Sequence, residues 1–108
     1  MAVKCFNVAI DIDYGYAKAH FNLGLAFQRR KFLDGAQSCF EKVLEINPQD
    51  TKTNYLLGVI LMKDEEEFDR AIECFNRALE GDPGNEKARL KLGELLAIKS
   101  DKGIVTPF

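Results

Sequence analysis

Three Leu-Gly pairs, Leu23-Gly24, Leu57-Gly58 and Leu92-Gly93, are separated by steps of 34 and 35 residues. Ala36, Phe40 and Pro48 return as Ala71, Phe75 and Pro83, each 35 residues on. The cysteines keep the same period, since Cys5, Cys39 and Cys74 each stand directly before a phenylalanine (Phe6, Phe40 and Phe75). Self-similarity at a period of roughly 20–50 residues marks a stacked-repeat architecture. One such unit cannot bury its own apolar faces, so it needs neighbours of its own kind.

Each repeat reads as two amphipathic helices. Within residues 17–50, His20, Leu23, Gly24 and Phe27 recur at three- and four-residue steps, which is one face of a helix. Leu33, Ala36, Phe40 and Val43 do the same in the second half. That second helix must stop at or before Asn47, because Pro48 disfavours helical backbone in the residue preceding it. Gly24 and Ala36 are small and face inward, so the pair is expected to pack closely as an antiparallel hairpin. Gly58 and Ala71 are one residue further apart than Gly24 and Ala36, and the extra residue is placed in Lys63-Asp64-Glu65-Glu66.

An aromatic, two residues, Leu-Gly, two residues, an aromatic, then Ala-x-x-x-Phe and a closing Pro is the pattern of the tetratricopeptide repeat family. The chain resembles that family from about Ala2 to Ile98. It departs in holding His20, Asn54 and Arg89 at the opening tryptophan position, and Lys31 and Glu66 where the inner turn usually has glycine. The resemblance implies an all-α fold, a right-handed α-solenoid of antiparallel helix hairpins with two full repeats flanked by half repeats. The expected domain covers residues 1–99, with a half repeat at 2–16, repeats at 17–50 and 51–85, and a half repeat at 86–99. Residues 100–108 form a tail.

In the first half repeat Ala2, Phe6 and Ala9 take the inward positions, and Asp13-Tyr14-Gly15 is the expected turn, with Tyr14 where Pro48 and Pro83 stand later. Asn85 is a plausible N-cap for the last helix, which should run from Glu86 to about Lys99. The face made by Leu92, Leu95, Leu96 and Ile98 on that helix is expected to lack a covering partner.

In such a fold the first helices line the concave groove. Steps of about 100° per residue put Lys18, Phe21, Asn22, Leu25 and Arg29 off the hairpin seam. The equivalents are Lys52, Tyr55 and Val59 in the second repeat and Lys87, Leu90 and Lys91 in the last helix, with Glu94 closing the strip. Two readings stand side by side. Either the apolar members line a peptide-binding groove, or they pack between neighbouring helices. Lys18, Lys52 and Lys87 share one repeat position, and the first helices are net basic while the second helices are net acidic. The net charge of −2 therefore conceals a polarised object suited to steering an acidic segment. Some members of the family grip acidic C-terminal tails of heat-shock chaperones with a carboxylate clamp. Its five positions hold Phe21, Leu25, Leu56, Lys87 and Lys91 here, so that clamp is not expected.

Other chemistries find little support. His20 is the one histidine and occupies a packing position. No Cys-x-x-Cys or His/Cys cluster is spaced for zinc, and Asp11-x-Asp13-x-Gly15 lacks the glutamate that would close a calcium loop. The acids Asp64–Glu67 suit the start of a helix, where the dipole favours negative charge. No glycine-rich phosphate loop is present, and no cofactor is expected. No apolar run approaches the ~18 residues of a membrane span, and helical pattern follows Met1 directly where a signal peptide would lie. Three cysteines at one repeat position read as packing residues in a reducing, cytoplasmic setting.

The expectation is a non-catalytic protein–protein interaction scaffold that binds a peptide, with acidic flanks, in its groove. The alternative is a structural stacking segment of a longer or self-associating repeat array. RNA binding from a concave face is a third reading, disfavoured by the apolar strip and the acidic balance.

Overall fold

Five α-helices follow one another in chain order in the computed structural model, which describes residues 8–101 and the side chains of residues 15–100. They are α1 (Val8–Arg29), α2 (Leu33–Ile46), α3 (Thr51–Leu61), α4 (Phe68–Gly81) and α5 (Glu86–Asp101). A short 3-10 turn at Glu65–Glu67 leads into α4, and no strand occurs among the described residues. The fold is all-α and made of helix hairpins. Two compact units divide the chain, residues 1–48 with α1 and α2 and residues 49–108 with α3, α4 and α5.

Sequence chemistry accounts for where the helices stop and start. α2 ends at Ile46 and α4 at Gly81, each two residues before a proline. The N–H of Thr53 donates to the Asp50 carboxylate (3.2 Å), so Asp50 caps α3. Asn85 caps α5 in the same way, accepting from Ala88 N–H at 3.0 Å. The extra residue of the second hairpin falls where it was expected, in the link that holds the 3-10 turn, with Asp64 accepting from Glu66 N–H (3.0 Å).

In the first unit, Phe40 and Ala36 are completely buried against α1. Gly24 lets the helices close up, because a Cβ there would lie 2.6 Å from the Phe40 ring. α1 ends in a left-handed Lys31 (φ 63°), whose N–H donates to Gln28 C=O, while Phe32 N–H reaches back to Phe27 C=O at 2.8 Å. That is a Schellman motif, and its accompanying apolar contact is present as Phe27 against Phe32, ring centroids 5.1 Å apart. Gly35 leaves room for this pair, since a Cβ there would strike both rings.

The second unit repeats the seam. Phe75 and Ala71 are fully buried, and a Cβ on Gly58 would lie 2.8 Å from the Phe75 ring. α4 also packs against α5, whose Ala88 and Leu95 are completely buried. Lys99 on α5 donates to the Asp69 carboxylate on α4 at 3.0 Å.

Four expectations are corrected. α1 runs unbroken through Asp13-Tyr14-Gly15, because Tyr14 in place of proline keeps its N–H and a single helical glycine costs only about 1 kcal/mol. Leu23 faces outward, 46% exposed, rather than sharing the seam with Gly24. α5 continues through Ser100 to Asp101, before Gly103. On α5, Leu95 is fully buried and Leu92 and Ile98 half-buried, so of the four residues expected to lack cover only Leu96 is exposed. Ala2 and Phe6 lie outside the described residues.

Candidate protein-interaction surface

The candidate groove residues form one stripe per first helix. On α1, Lys18, Asn22 and Arg29 are exposed, and Phe21 and Leu25 are half-buried among them. On α3, Lys52 is exposed, with Tyr55 and Val59 half-buried. On α5, Lys87 and Leu90 are exposed, while Lys91 is half-buried with its Nζ 3.8 Å from the Glu94 carboxylate. Steps of three and four residues put each set along one side of its helix. The α1 stripe belongs to the first unit and the α3 and α5 stripes to the second.

Phe21 and Tyr55 are not clear of the seam, as the helical spacing led us to expect. The Phe21 and Phe40 ring centroids are 5.9 Å apart, and those of Tyr55 and Phe75 are 6.0 Å apart, both pairs tilted. The reason is geometric: Phe21 lies three residues before Gly24, about 60° around the helix, within reach of whatever covers Gly24. Each ring is therefore braced on one side and partly open on the other. Lys18, Lys52 and Lys87 make no ion pair among the described residues.

Two positions at the opening of a helix have a structural task that sequence inspection did not reveal. Asn54, completely buried, donates from Nδ2 to Asp50 C=O at 3.0 Å. Arg89, its counterpart on α5, donates to Pro83 C=O at 2.9 Å. Both tie the helix to the turn before it, which a tryptophan could not do in this manner. His20, at the same position of α1, packs edge-on against Tyr16 with centroids 4.3 Å apart.

The remaining reactive groups are placed for packing. Cys39 and Cys74 are buried thiols, and desolvation pushes the Cys39 thiol pKa up, which disfavours the nucleophilic thiolate. Among the described residues no cluster of His, Cys, Asp or Glu could hold a metal ion. No described helix is long and apolar enough to cross a membrane.

The open apolar face expected on α5 lies on other residues of that helix, with Leu96 alone in common. Leu90, Gly93 and Leu96 form an open apolar stripe on α5, and the signal for it is a Leu-Gly pair with no Ala-x-x-x-Phe after it. In both hairpins the helix after the Leu-Gly pair supplies that phenylalanine. The tetratricopeptide repeat description matches residues 17–50, and a second family description of the same name matches residues 55–102. The chain belongs to the tetratricopeptide repeat family. Tetratricopeptide repeats generally mediate protein–protein interaction, and the family is generally non-catalytic. In tetratricopeptide terms the Gly24–Phe40 and Gly58–Phe75 contacts join first and second helix of one repeat, and α5 is a first helix. No curated protein matches the chain.

Proposed function

We propose that this protein is a non-catalytic scaffold that holds a peptide segment along its first helices. Apolar side chains of the peptide dock beside Phe21, Leu25, Tyr55 and Val59, and acidic flanks meet Lys18, Lys52 and Lys87. The observation that carries the reading is the recurrence, at equal repeat positions, of an unpaired lysine followed one turn later by a half-open, braced ring (Lys18 with Phe21, Lys52 with Tyr55). A ring fixed from behind loses little conformational freedom when a ligand lands on it. Exposed lysines in register speed the encounter with an acidic ligand and orient it. Buried thiols at Cys39 and Cys74 suit a reducing, cytoplasmic compartment.

The test uses fluorescent peptides with an apolar centre and acidic flanks, selected from a library on the intact protein. The Lys18→Glu/Lys52→Glu/Lys87→Glu variant should bind at least tenfold more weakly, with a flattened salt dependence and unchanged helicity. Tyr55→Ala should lower affinity more than it lowers the melting temperature. Peptides that bind equally well to both variants would overturn the proposal.

A further inference from the structure

The two complete hairpins show what belongs on the seam face of a first helix. On α1 that face is Phe21, Gly24 and Phe27, covered by Phe40 at Gly24 and by Phe32 at Phe27. On α5 the same positions hold Leu90, Gly93 and Leu96. A Cβ on Gly93 would meet nothing within 4 Å, Leu90 is 66% exposed and Leu96 49% exposed. Leu61, the counterpart of Leu96 on α3, is 1% exposed. α5 thus carries a seam face, with its glycine slot, that no described residue covers.

The chain also carries a third copy of what fills such a slot. The covering helices share one string, Ala36 with Cys39-Phe40 and Ala71 with Cys74-Phe75, and the string occurs once more as Ala2 with Cys5-Phe6. Residues 102–108, with Gly103 and Pro107, contain no such string and no helical pattern. Charge follows the same register. Lys18, Lys52 and Lys87 each stand six residues before their glycine, while Glu45, Glu80 and Asp11 each stand five residues after their phenylalanine. In an antiparallel pair this brings each lysine nearly level with an acid, about 9 Å and 7.5 Å along the axis from the glycine–phenylalanine contact. Seating Phe6 on Gly93 therefore sets Asp11 level with Lys87. Backbone geometry permits the reach: α2 ends six residues past Phe40, level with Lys18, so α1 before that point runs on beyond its hairpin partner.

We propose that the open stripe of α5 receives residues 2–12 of a second copy, with Phe6 seated over Gly93, so that copies join head to tail. The contact is heterologous, and each junction leaves one slot and one filling segment for the next copy. This proposal shares Lys87 and Leu90 with the α5 lysine-edged stripe, but it rests on the open slot at Gly93 and Leu96 and does not depend on peptide binding.

Two blocking variants test it. Leu96→Arg spoils the slot at an exposed residue and leaves the segment intact, whereas Phe6→Arg does the reverse. In sedimentation from low to high micromolar protein, the unaltered chain should grow in mass with concentration, and each variant alone should stay monomeric. An equimolar mixture of the two should form a species of twice the monomer mass and nothing larger, because the intact segment of one fits the intact slot of the other. Circular dichroism confirms that both variants keep their helicity. A labelled peptide of residues 1–13 gives a readout independent of the Phe6→Arg fold, and should bind the unaltered chain at least tenfold more tightly than Leu96→Arg. An unaltered chain that is monomeric throughout overturns the proposal, as does continued association of either variant alone or a mixture that forms no dimer.

Discussion

The two hairpins make the same contact and close it in different ways. A Cβ on Gly24 would lie 2.6 Å from the Phe40 ring and one on Gly58 would lie 2.8 Å from the Phe75 ring. The flanking ring pairs, Phe21–Phe40 and Tyr55–Phe75, agree to 0.1 Å in centroid distance, at 5.9 and 6.0 Å. Their links have little in common. The first is a Schellman motif with Lys31 in the left-handed region, and the second runs from Met62 through the 3-10 turn at Glu65–Glu67. An identical seam reached through unlike links means that glycine-on-phenylalanine packing sets the hairpin, and the link only has to reach. α5 completes the comparison as the same kind of first helix with a slot that no described residue covers.

The largest expected effect strikes the shared feature. Phe40→Ala or Phe75→Ala should each cost about 3–5 kcal/mol, the range for emptying a buried aromatic. Both rings are fully buried on their glycines, so urea unfolding should find the two losses comparable. If one variant were scarcely destabilised while the other unfolded, the two seams would not be energetically equivalent and the comparison would break.

Next in size is a single substitution whose sign depends on the slot. Gly24→Ala drives a methyl into the Phe40 ring, and over-packing of this kind costs about 1–3 kcal/mol. The gain in helix propensity, about 0.5–1 kcal/mol, offsets only part of it. At Gly93 no described residue lies near the new methyl, so Gly93→Ala should stabilise the monomer by that propensity gain alone. Thermal melts at low concentration, where association is negligible, separate the two. Destabilisation at both sites would show that the α5 slot is covered in solution, and stabilisation at both would show that the Phe40 ring yields at Gly24.

Much of this arrangement can be read from residues, and the reasons for the failures are physical. Periodicity locates the helices, and proline ends α2 and α4, because both signals reflect steric rules that tertiary context does not change. Asn85 is legible as a cap for the same reason. The turn at Asp13-Tyr14-Gly15 rests only on weak propensities, which give way once a helix has nucleated. A wheel drawn at 100° per residue cannot separate Phe21 from the seam, since the reach of an aromatic ring exceeds its angular offset from Gly24. The open face of α5 was assigned to Leu92, Leu95, Leu96 and Ile98, but α4 packs on α5, leaving Leu90, Gly93 and Leu96. The lysines of the stripes are legible because they recur at one repeat position, whereas the ligand proposed for them is not written in the scaffold.

The smallest expected effect lies in the links, where the hairpins differ most. Lys31 adopts φ 63°, and a Cβ in that region costs about 1–2 kcal/mol. Glycine relieves the clash but enlarges the unfolded ensemble, which takes back about 0.4–1 kcal/mol. Lys31→Gly should therefore stabilise the first hairpin by about 0.5–1 kcal/mol. The matching residue of the second link is Glu66, inside the 3-10 turn, where the backbone is not left-handed and its N–H donates to the Asp64 carboxylate. Glu66→Gly has no clash to relieve and only loosens the unfolded chain, so it should destabilise by up to about 1 kcal/mol. Urea midpoints at a constant slope measure both. Opposite signs would show that each link obeys its own local geometry while serving one common seam. A stabilisation at both positions would mean instead that the second link also visits a left-handed turn in solution, and that the two closures are more alike than their hydrogen bonds suggest.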